Sequence, residues 1–530
     1  MHGTGVDAAL HRADRIAWDP VARPGGKSIS RVAVLVTGLT AVSTLLGFLR
    51  DVVIAAVFGA GAELDAYLVA QGLMNIVLGL VAYAMARSAT PAVSREAAAE
   101  DNGCKGHTGF DVAFTLTMVV LGIGGVVMAI FAGPVASLLA PGFDAETTAA
   151  AATLTRIVLV ATVLVAGTDL LAALAQSHGR FAWASLQGVP FNLIMIAAAG
   201  LFGPRYGIAA LAVGFVVGSG ARLLLQLPPL RSLGTRVRPR LQLKDPGFRE
   251  IAVLVPAMLV GSAVGNVNTL VDRAVGSTLE EGAITALSYG WRLVNLPEQL
   301  LIASLLVPLY PAISASVRDL TELRRLVNRG LSVTVTILVP LCVVLAVAAE
   351  PLVEVAFGRG AFSPEDIEAT ATAVLWYAPA LLALGIRQVV VSTAYALGDA
   401  RAPVVISVLA MVVNVVGDIL LAPVMGVAGI ALATSASLVL AAVANAWLLR
   451  SRHDGVNLRE AFVLLLRAAL LAAVAGAVGV VLASLVAGPA LMTSVVVVFG
   501  VCGTYALGLV VLRAPEGRVP LDMLRAARRR

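Results

Sequence analysis

The chain has 530 residues, of which 59% are hydrophobic and 13% charged, and its mean hydropathy is +0.92. Soluble domains have about 45 to 50% apolar and about 25% charged residues, so this composition excludes an aqueous globular fold and indicates a membrane protein. The three cysteines, Cys104, Cys342 and Cys502, lack the spacing of a zinc site.

Residues 1–28 are polar and form a predicted cytoplasmic tail. Fourteen apolar blocks follow, and a helix needs only about 20 apolar residues to cross a bilayer. They predict an all-α polytopic membrane protein with about 14 transmembrane helices. The predicted units are a six-helix N-lobe at 31–230, a six-helix C-lobe at 249–450, helices 13 and 14 at 460–513, and a basic cytoplasmic tail at 514–530.

The basic residues predict which segments face the cytoplasm. Of the 38 Lys and Arg residues, only Arg205 and Arg359 fall in segments that face outside if the N-terminus lies inside. Cytoplasmic loops hold the positive excess in membrane proteins, so both termini are predicted to be cytoplasmic. The net charge of +6 therefore reflects topology and does not indicate a nucleic-acid partner.

An internal repeat appears when the sequence is aligned with itself at an offset of about 220 residues. Residues 64–75 lie against 284–295, Gly179 falls on Gly398, and the segment 142–144 falls on 361–363. Segment 206–209 also matches 425–428. Six helices per unit is an even number, so both lobes enter the membrane from the same side and are related by a parallel pseudo-two-fold axis.

Four charged residues lie near the middle of predicted helices, where a charge costs about 2.5 to 3.5 kcal/mol. They are Arg50, Asp51, Arg292 and Arg387. One interpretation is an anion-binding cavity between the lobes, where Arg binds phosphate through two nitrogens. The other is an internal ion pair, such as Arg50 with Asp65, or a side chain that reaches the membrane surface.

Other basic residues lie closer to the predicted helix ends. Arg156, Arg273 and Arg467 are expected to extend to the membrane surface, and the role of Arg222 is left open.

A second polar set is rich in oxygen. Asn414 and Asp418 are four residues apart and share one helix face, and Asp272 and Thr434 belong to the same lobe. Such oxygens could hold a hard cation such as sodium, or they could form a hydrogen-bonded contact between helices.

Several segments resemble the MurJ/MviN lipid II flippases of the MOP exporter superfamily. The first is GFLRDVVIAAVFGAGAELDAYLVA at 47–70, followed by YGWRLVNLP at 289–297, FGRGAFSPED at 357–366 and AYALGDARAPV at 394–404. The resemblance implies fourteen helices around a V-shaped cavity in the bacterial cytoplasmic membrane. It also implies export of an undecaprenyl-pyrophosphate-linked peptidoglycan precursor, with membrane lipids and cell-wall synthesis proteins as partners.

The resemblance also implies functional residues. Arg50, Asp65 and Arg292 match substrate-site positions of the family, and Arg387 is added to them as a central charge. The sodium site of the family resembles the set Asp272, Asn414, Asp418 and Thr434 with the carbonyl of Ile430.

Three positions depart from the family pattern. Thr44 stands where a second arginine is usual in helix one, Leu78 replaces a basic residue of helix two, and Tyr83 with Ala84 replaces an acidic residue and a glycine. Another lipid-linked glycan therefore stays open as the cargo.

The predicted function is transport of lipid II by alternating access, without an enzymatic step. Sodium and a proton both stay open as the coupling ion. The alternatives are an exporter of another lipid-linked glycan, a cation-coupled drug exporter, a membrane glycosyltransferase and a non-transporting cell-wall scaffold. A glycosyltransferase would need catalytic carboxylates in a sizeable loop outside the membrane, and the predicted outer loops are short.

Overall fold

The computed structural model describes residues 26–99, 108–232, 237–486 and 488–512. All regular secondary structure in these ranges is helical, which confirms the all-α prediction. The predicted tail at 514–530 and most of the tail at 1–28 lie outside the described residues.

The described residues of the N-lobe form eleven α-helices, with a π-helical turn at Ala198–Phe202. They are α1 Gly26–Phe58, α2 Ala62–Ala99, α3 Thr108–Ile130, α4 Ala132–Leu139, α5 Ala145–Val158, α6 Val160–Ser177, α7 Phe181–Leu186, α8 Gly188–Ala197, α9 Gly203–Tyr206, α10 Ile208–Leu225 and α11 Leu227–Ser232.

The C-lobe contains seven helices and is followed by two more. They are α12 Pro246–Gly276, α13 Ala283–Ala315, α14 Leu320–Val347, α15 Ala349–Phe357, α16 Pro364–Ala396, α17 Arg401–Met425 and α18 Val427–His453, then α19 Leu458–Leu485 and α20 Ala490–Val511. Where one residue separates two helices, as at Phe131 and Leu159, the pair coincides with one predicted apolar block.

Eleven helical spans among the described residues are long and apolar enough to cross a membrane. Helices α2, α12 and α13 each have more than 30 residues, and parts of all three lie outside the stretches from which these spans are counted. The chain is thus a multi-pass membrane protein, and the count of fourteen crossings stays a prediction.

Backbone conformations support the predicted repeat. Gly179 and its counterpart Gly398 have φ values of 77° and 81°, and Gly207 and its counterpart Gly426 have 60° and 59°. Residues with a Cβ rarely adopt these angles, so glycine is needed at each turn. The two lobes therefore place the same backbone turns at matching positions.

Helices α19 and α20 belong with the C-lobe. They pack against each other and against α14, where Val339, Leu471 and Val501 share one buried apolar cluster. These two helices lie outside the predicted repeat.

The lobes meet at the end of the bundle that is predicted to face outside. The amide of Ala60 donates to Asp366 Oδ2 at 3.1 Å, and the amide of Ala361 donates to the carbonyl of Ala56 at 2.8 Å. Because α1 and α16 belong to different lobes, these bonds close the bundle at that end.

Asp399 lies between α16 and α17, at the end predicted to be cytoplasmic. Its carboxylate accepts hydrogen bonds from the Ala402 amide at 3.1 Å and Arg452 Nη1 at 3.2 Å, and His453 Nε2 lies 3.3 Å away. Burial acts to raise the pKa of Asp399, but these partners outweigh it and hold the pKa below its usual value.

A charged cavity between the two lobes

A cavity of about 380 Å³ lies between the N-lobe and the C-lobe. Helices α1, α2 and α8 contribute to its wall from the N-lobe, and α12, α13, α16, α17 and α18 contribute from the C-lobe. Its charged and amide-bearing residues are Arg50, Asp51, Gln71, Asn268, Asp272, Arg273, Arg292 and Asn414. The two polar sets that were predicted separately therefore share one cavity.

Two arginines from opposite lobes meet at one aspartate. Arg50 donates from Nε and Nη2 to Asp51 Oδ1 at 3.0 and 2.9 Å, and Arg292 Nη1 donates to Asp51 Oδ2. Asp51 is only 3% exposed, whereas the side chain of Arg292 is 42% exposed. The structure thus places the predicted residues Arg50 and Arg292 together and pairs both with Asp51, so the ion pair considered between Arg50 and Asp65 is wrong.

The position of Arg50 depends on α8. Arg50 Nη1 donates to Asn192 Oδ1 at 3.0 Å, and Asn192 Nδ2 donates to the carbonyl of Ser43 at 3.1 Å. The guanidinium carbons of Arg50 and Arg222 lie 5.7 and 5.4 Å from the centre of the Phe191 ring. Asn192 and Phe191 are therefore supporting residues that the sequence analysis did not identify.

Asp65 does not line the cavity, although it was predicted to bind substrate. It is 2% exposed, and its carboxylate accepts hydrogen bonds from the Gly282 amide at 2.9 Å, the Thr285 amide at 2.8 Å and Thr285 Oγ1 at 2.6 Å. By accepting these bonds, the Asp65 carboxylate caps the N-terminus of α13 in the other lobe. Asp65 is therefore part of the contact between the lobes at the predicted outer end.

Gly282 makes this contact sterically feasible. It has φ +84°, and a Cβ built on it would lie 2.2 Å from the carbonyl oxygen of Ala60. Only glycine fits both the backbone angle and the close approach of the two lobes.

The oxygen-rich set is assembled in the C-lobe. Asn414 Nδ2 donates to Asp272 Oδ1 at 3.2 Å and to Asp418 Oδ2 at 2.6 Å, and Ser437 Oγ donates to Asn414 Oδ1 at 3.2 Å. Asp418 Oδ1 and Thr434 Oγ1 are buried, and within the described part of the chain neither has a hydrogen-bond partner.

Oxygens without partners fit a hard cation, because sodium is bound by carboxylate, amide and hydroxyl oxygens. Ile430 is fully buried one helical turn before Thr434 on α18. The residues present therefore fit the sodium site that the family resemblance implies.

Arg387 lies apart from the cavity lining. Its Nη2 donates to Ser407 Oγ at 3.0 Å, and it interacts electrostatically with Glu298. The prediction that Arg387 would join Arg50 and Arg292 is therefore wrong, because contacts within the C-lobe hold its side chain elsewhere.

Arg273 lines the cavity, although its place near the end of α12 had predicted a side chain at the membrane surface. Its position directly after Asp272 in the sequence was the signal that could have revealed this.

Among the departures from the family pattern, the hydroxyl of Thr44 donates to the carbonyl of Thr40 at 3.0 Å. The side chains of Leu78 and Tyr83 lie outside the described residues.

Comparison of structures places the fold among transporters. A structure of a lipid II flippase MurJ in an inward closed conformation matches with a TM-score of 0.76 and 20% identity, over 90% of this chain and 99% of that chain. An inward-facing multidrug resistance MATE transporter of the MOP superfamily matches with a TM-score of 0.64 and 15% identity, over 79% of this chain and 98% of that chain.

Comparison of sequences is more specific. The family model described as lipid II flippase MurJ matches residues 54–500. A probable lipid II flippase MurJ of Vibrio cholerae is 30% identical over 424 residues, which cover 78% of this chain and 81% of the relative. A lipid II flippase MurJ of Burkholderia cenocepacia is 28% identical over 425 residues, which cover 76% and 80%. The chain belongs to the MurJ family of lipid II flippases.

Proposed function

We propose that the chain moves lipid II from the inner to the outer leaflet of the bacterial cytoplasmic membrane by alternating access. The observation that carries this proposal is the meeting of Arg50 and Arg292, from opposite lobes, at Asp51 in the central cavity. Guanidinium groups bind phosphate oxygens through pairs of hydrogen bonds, so the two arginines suit a pyrophosphate.

Substrate binding exchanges one contact between the lobes for another. Arg292 is half-exposed to the cavity and bound to Asp51, so a phosphate oxygen that binds Arg292 competes with the carboxylate of Asp51. Loss of this ion pair removes a link between α1 and α13. The lobes can then rock about the bound headgroup, while the polyprenyl tail stays in the lipid.

The membrane potential favours the outward step. An inside-negative potential assists the outward movement of an anion by about 2.3 kcal/mol per charge per 100 mV, when no ion of opposite charge moves with it. No step needs ATP.

The family is one of transporters, so the glycosyltransferase alternative has no support.

A sodium ion is the proposed coupling ion. The residues that would hold it are Asp272, Asn414, Asp418 and Thr434 with the Ile430 carbonyl, and a bound cation would neutralise part of the charge of two aspartates in the C-lobe. The orphaned oxygens of Asp418 and Thr434 support this assignment.

A second candidate cargo is another glycan linked to undecaprenyl pyrophosphate. Thr44 favours it, because this hydroxyl stands where the family usually supplies a second arginine on α1. Such a cargo would share the pyrophosphate and differ in the sugar.

The proposed orientation places both termini in the cytoplasm, as the sorting of Lys and Arg predicts. Enzymes that consume lipid II at the outer surface are the expected functional partners.

Replacement of an essential lipid II flippase in living cells tests the proposal. Cells that depend on this chain should survive and should present lipid II to a probe at the outer surface. The Arg292→Ala variant should fail in the same cells, whereas Arg359→Ala, which changes an exposed loop arginine, should support growth. Death of cells that contain correctly inserted wild-type protein would count against lipid II as the cargo.

A further inference from the structure

Arg273 is a half-buried cation of the cavity wall with unused hydrogen-bonding capacity. It lies on α12, and its Nε and Nη1 atoms are buried and have no hydrogen-bond partner among the described residues. Buried guanidinium nitrogens without acceptors are costly, since burial removes water from them and no acceptor replaces it. Such a group in a cavity wall indicates a ligand that supplies the missing acceptors.

The carboxylates near Arg273 are already bound by other donors. Arg273 interacts electrostatically with Asp272 and Asp65. Asp272 accepts from Asn414, however, and Asp65 accepts three hydrogen bonds from Gly282 and Thr285. The positive charge of Arg273 therefore stays directed toward the cavity, on the same wall as Arg292.

Gly72 on α2 creates the space that Arg273 occupies. A Cβ built on Gly72 would lie 1.8 Å from Arg273 Nη1 and 3.0 Å from its Cζ. The guanidinium thus crosses directly over the backbone of a helix of the other lobe. A methyl group at position 72 would force it away without changing its charge.

We infer that Arg273 is a third ligand for the phosphate oxygens of the substrate, held in position by Gly72. This inference rests on the proposed function, because it takes a polyprenyl pyrophosphate as the ligand. A pyrophosphate offers more acceptor oxygens than Arg50 and Arg292 can fill, since Arg50 also donates to Asp51. Arg273 supplies a further donor, which donates to no carboxylate among the described residues.

If Arg273 had a purely structural role, its replacement would have different effects on stability and on ligand affinity. If Arg273 only stabilised the fold, its replacement would lower the thermal stability and leave ligand affinity unchanged in the folded fraction. As a substrate ligand without partners, it contributes affinity, and its replacement by Gln leaves the melting temperature unchanged or higher.

The test measures the affinity of the purified full chain for undecaprenyl pyrophosphate. Arg273→Gln should weaken binding about tenfold or more, because a hydrogen bond to a charged group is lost. Arg273→Lys should recover part of the affinity, since it keeps the charge but not the planar group. Gly72→Ala should weaken binding to a similar degree, whereas Gly124→Ala, where a Cβ meets open space, is the matched control and should bind as wild type does.

The outcomes separate this inference from the proposed function. Wild-type affinity in folded Arg273→Gln would overturn the role of Arg273 while leaving Arg50 and Arg292 as the binding pair. If Arg273→Gln does not fold, wild-type affinity in Gly72→Ala would overturn it equally. Failure of the wild-type protein to bind undecaprenyl pyrophosphate would instead contradict the proposed function itself, and the inference with it.

Discussion

Asp51 on α1 accepts a hydrogen bond from Arg292 on α13, so a carboxylate of the N-lobe holds a guanidinium of the C-lobe inside the central cavity. Asp51 also accepts two hydrogen bonds from Arg50. One negative charge therefore keeps two positive charges close together, and the pair of arginines is prepared to receive an anion with more than one charge.

Replacement of Arg292 should abolish function with little loss of stability. Asp51 keeps Arg50 as a partner in Arg292→Ala, so destabilisation should fall below the 3 to 5 kcal/mol typical of breaking a buried ion pair. Arg292→Lys should retain the fold and only part of the function, because lysine lacks the planar pair of donors. Thermal melting beside growth of flippase-depleted cells measures both effects. Normal growth with Arg292→Ala would mean that the residue is architectural.

Asp418 should carry the response to sodium. Asp418→Asn removes one charge but keeps the hydrogen-bonding side chain next to Asn414, so the fold should persist while stabilisation by sodium is lost. The measurement is the melting temperature in sodium chloride compared with choline chloride at equal ionic strength. Equal melting temperatures of the wild-type protein in both salts would show that the oxygen-rich set does not bind sodium and is only a hydrogen-bonded contact between helices.

The contact between the lobes at the predicted outer end should depend on Gly282. Gly282→Ala combines an unfavourable backbone angle, which costs about 1 to 2 kcal/mol, with a collision with the carbonyl of Ala60. Gly179→Ala is a matched control, because φ is +77° and the space around the Cβ is open. Only Gly282→Ala should widen the distance between spin labels at positions 62 and 281. An unchanged distance would show that this contact does not hold the lobes together.

The stability of the protein should depend on pH through Asp399. Its folded-state pKa is lowered, so its stabilising effect is present above the unfolded pKa of about 3.9 and is lost as the pH falls through the folded value. Asp399→Asn should therefore lower the melting temperature at pH 7, and the difference from wild type should shrink in acid. A difference that stays constant down to pH 3 would exclude this carboxylate as its source.

The orientation of the protein in the membrane can be tested by labelling single cysteines after replacement of Cys104, Cys342 and Cys502. Cysteines at positions 62 and 280 should react with an impermeant reagent in intact cells. Cysteines at positions 240 and 320 should react only after the membrane is opened. Labelling of position 240 in intact cells would reverse the proposed orientation.

The helices could be predicted from the sequence because lipid imposes a simple rule. A stretch such as 112–143, which has no charged residue, must satisfy its backbone hydrogen bonds within a helix, and α3 and α4 lie there. The same rule identified Arg50 and Arg292, since central charges in apolar helices need a partner or a cavity.

The contacts between side chains were less predictable, because they depend on how helices distant in sequence approach each other. Arg273 lies near the end of α12, yet its guanidinium crosses Gly72 on α2 and reaches the cavity. Arg387 lies in the middle of α16, yet it binds Ser407 within its own lobe. Distance from a helix end, read along the chain, does not report where a long side chain points.

Movement of lipid II by the purified protein tests the central claim most directly. Wild-type protein is reconstituted into vesicles that contain fluorescent lipid II, with an impermeant quencher added outside. The account predicts that wild-type vesicles expose lipid II from the inner leaflet faster than protein-free vesicles, and that vesicles with folded Arg50→Ala/Arg292→Ala protein do not. Equal exposure with wild-type and doubly substituted protein, or none with either, would contradict transport through this arginine-lined cavity.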